Sequence, residues 1–196
     1  CAIIISSKFD KKFKKELKKF GKKIFIQESL SPNNNEELWK EISLVSKTNN
    51  IISHLINGDP LIDSLGLEEL NYFKRKKINC EIISGIIGIV HFLNNKNSLL
   101  TDRNTNSSVT MLNSSSPEKI KKILQNLFFE KLIIHIKLKE DLTFITKMID
   151  EIIQRKSIDI NYIIDEKFVN YSEINSENAR KFSKSTYIII KNNKKI

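Results

Sequence analysis

Cysteine is almost absent: Cys1 and Cys80 are the only two in 196 residues. Two thiols make neither a disulfide scaffold nor a zinc cluster, and such low usage suits a reducing compartment, so the cytoplasm is the expected location. Arginine is nearly as scarce, since Arg75, Arg103, Arg155 and Arg180 are the only four among 33 basic residues. No apolar run approaches the roughly 18 residues of a membrane span, and no signal-peptide pattern opens the sequence. A membrane is therefore not among the expected partners. No internal repeat is evident, which excludes solenoids and propellers.

Charge and apolar content are what the chain does have. It carries 33 Lys+Arg against 23 Asp+Glu, a formal +10, with 40% hydrophobic residues. That apolar content excludes wholesale disorder, and the length suits one large domain or two small ones with a real core. Lysine, isoleucine and asparagine dominate and share A/T-rich codons, so codon drift accounts for the basic balance without selection for a polyanion. Readers of nucleic acid favour arginine for bidentate contacts. Nucleic acid is therefore not an expected partner, and an anionic small substrate explains the charge at least as well.

The hydrophobic pattern alternates between strands and helices. The chain opens abruptly on the buried-strand run Cys1-Ala2-Ile3-Ile4-Ile5, without Met, which reads as a truncated start. Lys11 to Phe20 places Phe13, Leu17 and Phe20 at helical spacing among lysines, a helix packed on a sheet. Strands are expected at Ile24 to Ile26, Asn50 to Ile56 and Cys80 to Ile83. Helices are expected at Glu36 to Ser46, Glu68 to Lys77 and Ile89 to Leu93. This order argues for an open, mainly parallel α/β sheet. The polar stretch Leu99 to Asn104 reads as the connector between domains 1–100 and 101–196. Beyond it come a strand at Ser108 to Leu112, a helix from Ser116-Pro117 to Leu127, a strand at Leu132 to Ile136 and a helix at Leu142 to Arg155. Three β-rich runs follow, at Ile160 to Ile164, Phe168 to Ile174 and Thr186 to Ile190, and the Lys191 to Lys195 end reads as frayed. The histidines show no ligand spacing, so His54 and His135 read as hydrogen-bonded strand residues and no metal is expected. Cys80 reads as a small buried apolar residue and Trp39 as a core anchor.

The stretch richest in chemistry is Asn57-Gly58-Asp59-Pro60-Leu61-Ile62, directly after an expected strand. Ligands of open α/β sheets sit beyond the carboxyl ends of strands. Gly58 lets a backbone come close to a ligand, Asp59 offers a carboxylate to hydroxyl or amine donors, and Pro60 sets the exit of the loop. Alone, Gly-Asp-Pro is a common turn.

It belongs to an ordered series. Gly66 and Glu68-Glu69-Leu70 follow, then Ile78-Asn79, Glu81-Ile82-Ile83 and Ser84-Gly85-Ile86, then Leu100-Thr101-Asp102-Arg103 and Ser107-Ser108-Val109-Thr110. This series resembles the tetrapyrrole methylases, the S-adenosylmethionine-dependent enzymes of corrin and sirohaem synthesis. Within them it is most similar to the uroporphyrinogen-III C-methyltransferases, including the methyltransferase part of sirohaem synthase. Those carry Gly-Gly-Asp-Pro-Phe-Ile-Phe-Gly-Arg-Gly-Gly-Glu-Glu, then Val-Val-Pro-Gly-Ile/Val-Thr-Ser/Ala, Leu-Thr-His-Arg-Asp and a Ser-Val/Cys strand. The fit from Gly58 to Ser108 needs no gap. Asn35-Glu36-Glu37-Leu38 upstream and Lys131 to Lys137 downstream resemble weaker family segments.

The resemblance implies a two-domain α/β fold, an N-terminal open mainly parallel sheet and a C-terminal mixed sheet with flanking helices, with the ligand cleft between them. It implies S-adenosylmethionine as cofactor, uroporphyrinogen III as substrate, precorrin-2 as product and a homodimer. Carried over residue by residue, it puts cofactor contacts at Asn57, Gly58, Asp59, Ile62, Ile87, Gly88, Ile136 and Lys167, and a substrate contact or domain-junction ion pair at Arg103.

The chain also departs from the family pattern. The family's first strand and its Gly-Pro-Gly-Asp loop have no counterpart. Ser7 falls on the family's catalytic Asp and Lys8 on the following Arg, and Glu28 falls on a catalytic Lys. Serine is a poor base on its own, and a glutamate inverts the charge met by a polyanionic substrate. Family glycines are replaced by Asn57, Lys137, Lys167 and Lys191. If the alignment slips at this end, Asp10 and Lys22 or Lys23 are the substitutes for the two catalytic positions. Two other readings therefore stand beside the enzyme: a non-catalytic remnant that keeps the fold, and a basic nucleic-acid-binding protein.

Overall fold

In the computed structural model the described residues are 2–6, 9–20, 23–28, 32–48, 51–62, 64–102, 107–153, 158–164, 167–170 and 186–192. They form two compact units, Cys1–His91 and Phe92–Ile196.

The first unit is built on β1 (Ala2–Ser6), whose residues Ala2 to Ile5 are all buried because the strand is central and covered on both faces. It pairs in parallel with β2 (Lys23–Gln27) on one side and β3 (Ile52–Leu55) on the other, so Ile4 stands between Phe25 and His54. Strand alternation sends Ile3 and Ile5 to one face, where Leu17 and Phe13 of α1 (Lys11–Lys18) pack with Phe9 and Leu55. Ala2 and Ile4 point to the other face. There they meet Trp39 and Ile42 of α2 (Pro32–Val45) and Tyr72 and Phe73 of α3 (Gly66–Arg75). Helices on both faces are what a parallel sheet requires. Trp39 is the core anchor its sequence context suggested, its ring 5.3 Å from that of Tyr72. Phe20, third member of the apolar stripe, lies beyond the end of α1 and is exposed.

One expected strand does not form. Cys80 to Ile83 joins no ladder, and Glu81 and Ile83 are exposed. The run has strand-like composition but is not paired to a sheet, so side-chain pattern alone misreads it. The chain then enters α4 (Gly88–Asn95).

The second unit holds β4 (Thr110–Asn113), α5 (Pro117–Asn126), β5 (Lys131–Ile136), α6 (Lys139–Ile153), β6 (Ile158–Ile164), β7 (Lys167–Asn170) and β8 (Thr186–Asn192). Its sheet runs β4-β5-β8-β6-β7. Among the described strands β4 and β5 make the one parallel pair of this sheet; β8 inserts antiparallel between β5 and β6, with Ile134 opposite Ile188 and Tyr162 opposite Ile188 on its other side. Leu132, Ile134 and Ile136 of β5 pack with Ile145 and Ile149 of α6, Ile120 and Leu124 of α5, and Ile188 and Ile190 of β8. Pro117 opens α5 as expected, but Ser116 caps it without a side-chain hydrogen bond.

The polar connector is tied to two consecutive residues. Lys131 donates from Nζ to the carbonyls of Leu99 and Leu100 at 3.0 and 2.6 Å. Glu130 accepts from the Ser108 N–H at 2.6 Å and from the Ser107 and Ser108 hydroxyls. Burial, then repulsion from Lys191, holds the Lys131 pKa below the ordinary lysine value, while the serine hydrogen bonds hold Glu130 below the ordinary carboxylate value. Among the described residues no helix is long and apolar enough to cross a membrane.

Candidate ligand-binding site

Three parallel strands must end on one edge, and here that edge is Ser6, Gln27 and Leu55. Beyond Leu55 the chain bends sharply at Gly58, whose φ of +92° only glycine adopts without strain. Asp59 fixes the bend with both carboxylate oxygens. Oδ1 accepts the Leu61 N–H at 2.9 Å, an Asx turn, and Oδ2 accepts the Gly85 N–H at 3.1 Å. The Ile62 N–H donates to the Asp59 carbonyl at 3.2 Å and closes the turn.

Two other glycines are needed for close approach. A Cβ on Gly85 would lie 2.1 Å from the Gly58 carbonyl oxygen, and one on Gly66 would lie 2.0 Å from the Pro60 carbonyl oxygen. Ser64 completes the clamp: its hydroxyl donates to the Pro60 carbonyl and accepts the Gly66 N–H. The bend therefore meets the 85–86 segment and the start of α3 at close backbone range, with the Asp59 and Ser64 side chains as the ties. At Gly58 itself the space is open, since a Cβ there would meet only the Ile86 carbonyl oxygen at 3.8 Å. A bare backbone bend at the carboxyl edge of a parallel sheet stands where ligands of such sheets approach the main chain.

The residues singled out from the sequence fall into three groups. Asn57, Gly58, Asp59 and Ile62 share the bend, and Asn57 and Ile62 are exposed. Ile87 and Gly88 stand just after Gly85 at the entry of α4; Ile87 is half-buried, its carbonyl accepting the His91 N–H at 3.0 Å, and Gly88 is exposed. The Asp59–Gly85 bond thus brings the first two clusters together. Ile136 and Lys167 belong to the second unit: Ile136 ends β5 with its side chain in the core, and Lys167 opens β7, exposed, in register with Ile164. Glu28 is exposed directly after β2. Ser7 and Arg103, with Lys8 and Lys22, lie outside the described residues. Asp10 is the N-cap of α1, accepting the Phe13 N–H at 2.7 Å, and Lys23 pairs with Glu41 at 2.9 Å.

Sequence reasoning did not single out three relationships. Gly85 stood in the motif series without a role of its own; the only signal was a glycine following a β-rich run. His54 of β3 meets Glu69 of α3, with Nδ1 2.9 Å from Oε1 and 2.8 Å from Oε2, and both side chains are largely buried. That pairing makes His54 the hydrogen-bonded strand histidine expected. The third is Ser114 with Asp141, whose residues carry no local motif. Cys80 is half-buried, and burial, then the nearby Glu69 carboxylate, pushes its thiol pKa up. Among the described residues no group of three or more His, Cys, Asp or Glu is placed to hold a metal ion.

No family model matches the sequence, and no curated protein matches it. Solved structures do. Uroporphyrin-III C-methyltransferase from Thermus thermophilus, complexed with S-adenosyl homocysteine, aligns with a TM-score of 0.68 at 12% identity, over 96% of this chain and 84% of that one. A cobalt precorrin-4 methyltransferase aligns with a TM-score of 0.74 at 15% identity, over 97% and 83%. A diphthine synthase aligns with a TM-score of 0.63 at 15% identity, over 100% and 80%. At such identities the likeness is one of fold.

Proposed function

From the tetrapyrrole methylase fold of this chain, we propose that it is an S-adenosylmethionine-dependent methyltransferase that converts uroporphyrinogen III to precorrin-2 in sirohaem or cobalamin-type synthesis. The observation that carries the reading is the bare bend at Gly58, held open at the carboxyl edge of a parallel sheet by Asp59. The Asn57-to-Ser108 motif series and the S-adenosyl homocysteine held by one structural neighbour support it.

When bound, S-adenosylmethionine supplies an electrophilic methyl on a cationic sulfur, already a good leaving group. The work left to the chain is binding, orientation and proton handling. In this reading Asn57 and Gly58 offer backbone to the ligand, and Ile62, Ile87 and Gly88 offer the apolar and close-approach surfaces around it. Asp59 acts through the shape of the loop, because both its oxygens already hold backbone amides. Ile136 contributes through its main chain, its side chain being in the core, and Lys167 stands near the adenine. Ser7 and Glu28 occupy the catalytic positions. Methylation at a fully substituted pyrrole carbon leaves a cationic macrocycle that must lose a proton from a neighbouring position, and Glu28, exposed directly after β2, is a carboxylate able to take it. Arg103 pairs with substrate carboxylates. The same resemblance carries a homodimer, and the scarcity of cysteine favours a cytoplasmic location.

A second reading, a remnant that keeps the fold and has lost turnover, is favoured by Glu28 where the family has a lysine. Calorimetric titration with S-adenosyl homocysteine, followed by transfer of labelled methyl to uroporphyrinogen III, separates the two. Binding with transfer is the expected result. Binding without transfer selects the remnant, and no heat at millimolar ligand overturns the enzyme and its cofactor site at the bend.

A further inference from the structure

At the exit of β4, Ser114 is 4% exposed and makes three polar contacts. Its N–H donates to the His135 carbonyl at 2.9 Å. Its hydroxyl oxygen accepts the Lys137 N–H at 3.0 Å, and its hydroxyl donates to Asp141 Oδ2. Those partners fall on the last turn-facing carbonyl of β5, on the turn itself and on the first turn of α6. One buried side chain thus ties together the whole β5–α6 junction. The Lys137 and Leu138 side chains are exposed, so apolar burial does not fix the backbone between Ile136 and α6. The Asp141 N–H closes the turn locally on the Leu138 carbonyl at 3.2 Å, and an acidic group in the first turn also suits the positive end of the α6 dipole.

Resting on the methyltransferase reading above, we infer that Ser114 and Asp141 are positioning residues that hold the Ile136–Lys137 backbone in the shape an adenosyl ligand requires. Ile136 cannot serve through its side chain, which lies in the core. Ile136 can therefore contribute only its main chain, which the β5–β8 ladder holds on one side, while the Ser114 hydroxyl holds the Lys137 N–H on the other. Removing it leaves the Lys137 N–H and the Asp141 carboxylate each without this partner and loosens the link between β4 and the turn.

The test uses the full chain, titrated with S-adenosyl homocysteine well below the unfolding temperature of every variant. Ser114→Ala and Asp141→Ala are expected to weaken binding about tenfold, with kcat at saturating donor unchanged. Asp141→Asn, which keeps an acceptor for the Ser114 hydroxyl, is expected to bind within about twofold of wild type. Amide exchange at Lys137 is expected to accelerate in Ser114→Ala whether or not ligand is present. A folded Ser114→Ala protein with unchanged affinity, or unchanged exchange at Lys137, overturns the inference. Absence of binding in the wild type itself overturns the proposed function first, and the positioning role with it.

Discussion

Asp59 and Gly85 stand 26 residues apart in the chain, yet the Gly85 N–H donates to Asp59 Oδ2 at 3.1 Å. The same approach leaves a Gly85 Cβ only 2.1 Å from the Gly58 carbonyl oxygen. The loop after β3 and the segment before α4 are thus held as one backbone surface. A carboxylate that looks from sequence like a ligand contact is spent on the loop's own geometry.

Gly85→Ala is expected to break this surface. The obstructing atom is a carbonyl of the facing main chain, which cannot swing aside as a flexible side chain would. A loss of about 2 to 3 kcal/mol is expected in urea denaturation, the upper part of the usual overpacking range. Affinity for S-adenosyl homocysteine should fall with it, whereas Gly88→Ala, in the first turn of α4, should cost far less stability.

The His54–Glu69 pair links β3 to α3 inside the first unit. His54→Leu leaves the buried Glu69 carboxylate without this partner and is expected to cost about 2 to 3 kcal/mol. Replacing both residues by leucine should recover part of that loss, because the desolvated carboxylate goes too. Additive losses in a double-mutant cycle would show that the two groups do not act as a pair.

Alkaline stability should depend on Tyr162. Burial is the main reason its phenol pKa is pushed up to about 12, with the Thr146 hydroxyl as a weaker opposing influence. The folded state then holds its proton where the unfolded chain, titrating near 10, gives it up. The contribution is therefore complete below about pH 10 and is lost as pH rises towards 12. Chemical denaturation across that range should show stability falling by up to about 3 kcal/mol, and Tyr162→Phe should flatten the slope.

Lys77 has a φ of +59° just beyond α3 and is exposed. A side chain in this left-handed conformation costs about 1 to 2 kcal/mol, partly offset in a glycine variant by the greater freedom of its unfolded chain. Lys77→Gly should raise the unfolding free energy by up to about 1 kcal/mol, read as a higher Tm with no change in ligand affinity.

Most elements were legible because their apolar residues repeat at strand or helix period. Ile3-Ile4-Ile5 forms the central strand of the first sheet, and Ile145, Met148, Ile149 and Ile152 face inward from α6 as their spacing requires. The Gly58-Asp59-Pro60 bend was also legible, since glycine and proline mark turns by local sterics. Cys80 to Ile83 was not, because ladder membership depends on a partner edge and not on the run itself. The position of β8 between β5 and β6 was equally hidden: pattern marks a strand but does not say which neighbours it takes.

The sequence alone determined the alternation of strands and helices, the two-part α/β organisation and the turn at Gly58. All of these follow from local sterics, period and order along one chain. Only the tertiary structure decided that Asp59 bonds to Gly85, that Glu69 receives His54 and that Ser114 gathers the β5–α6 junction. Those contacts join residues 15 to 27 positions apart. Their partners are chosen by where packed elements bring backbone and side chain together, and no local pattern encodes that.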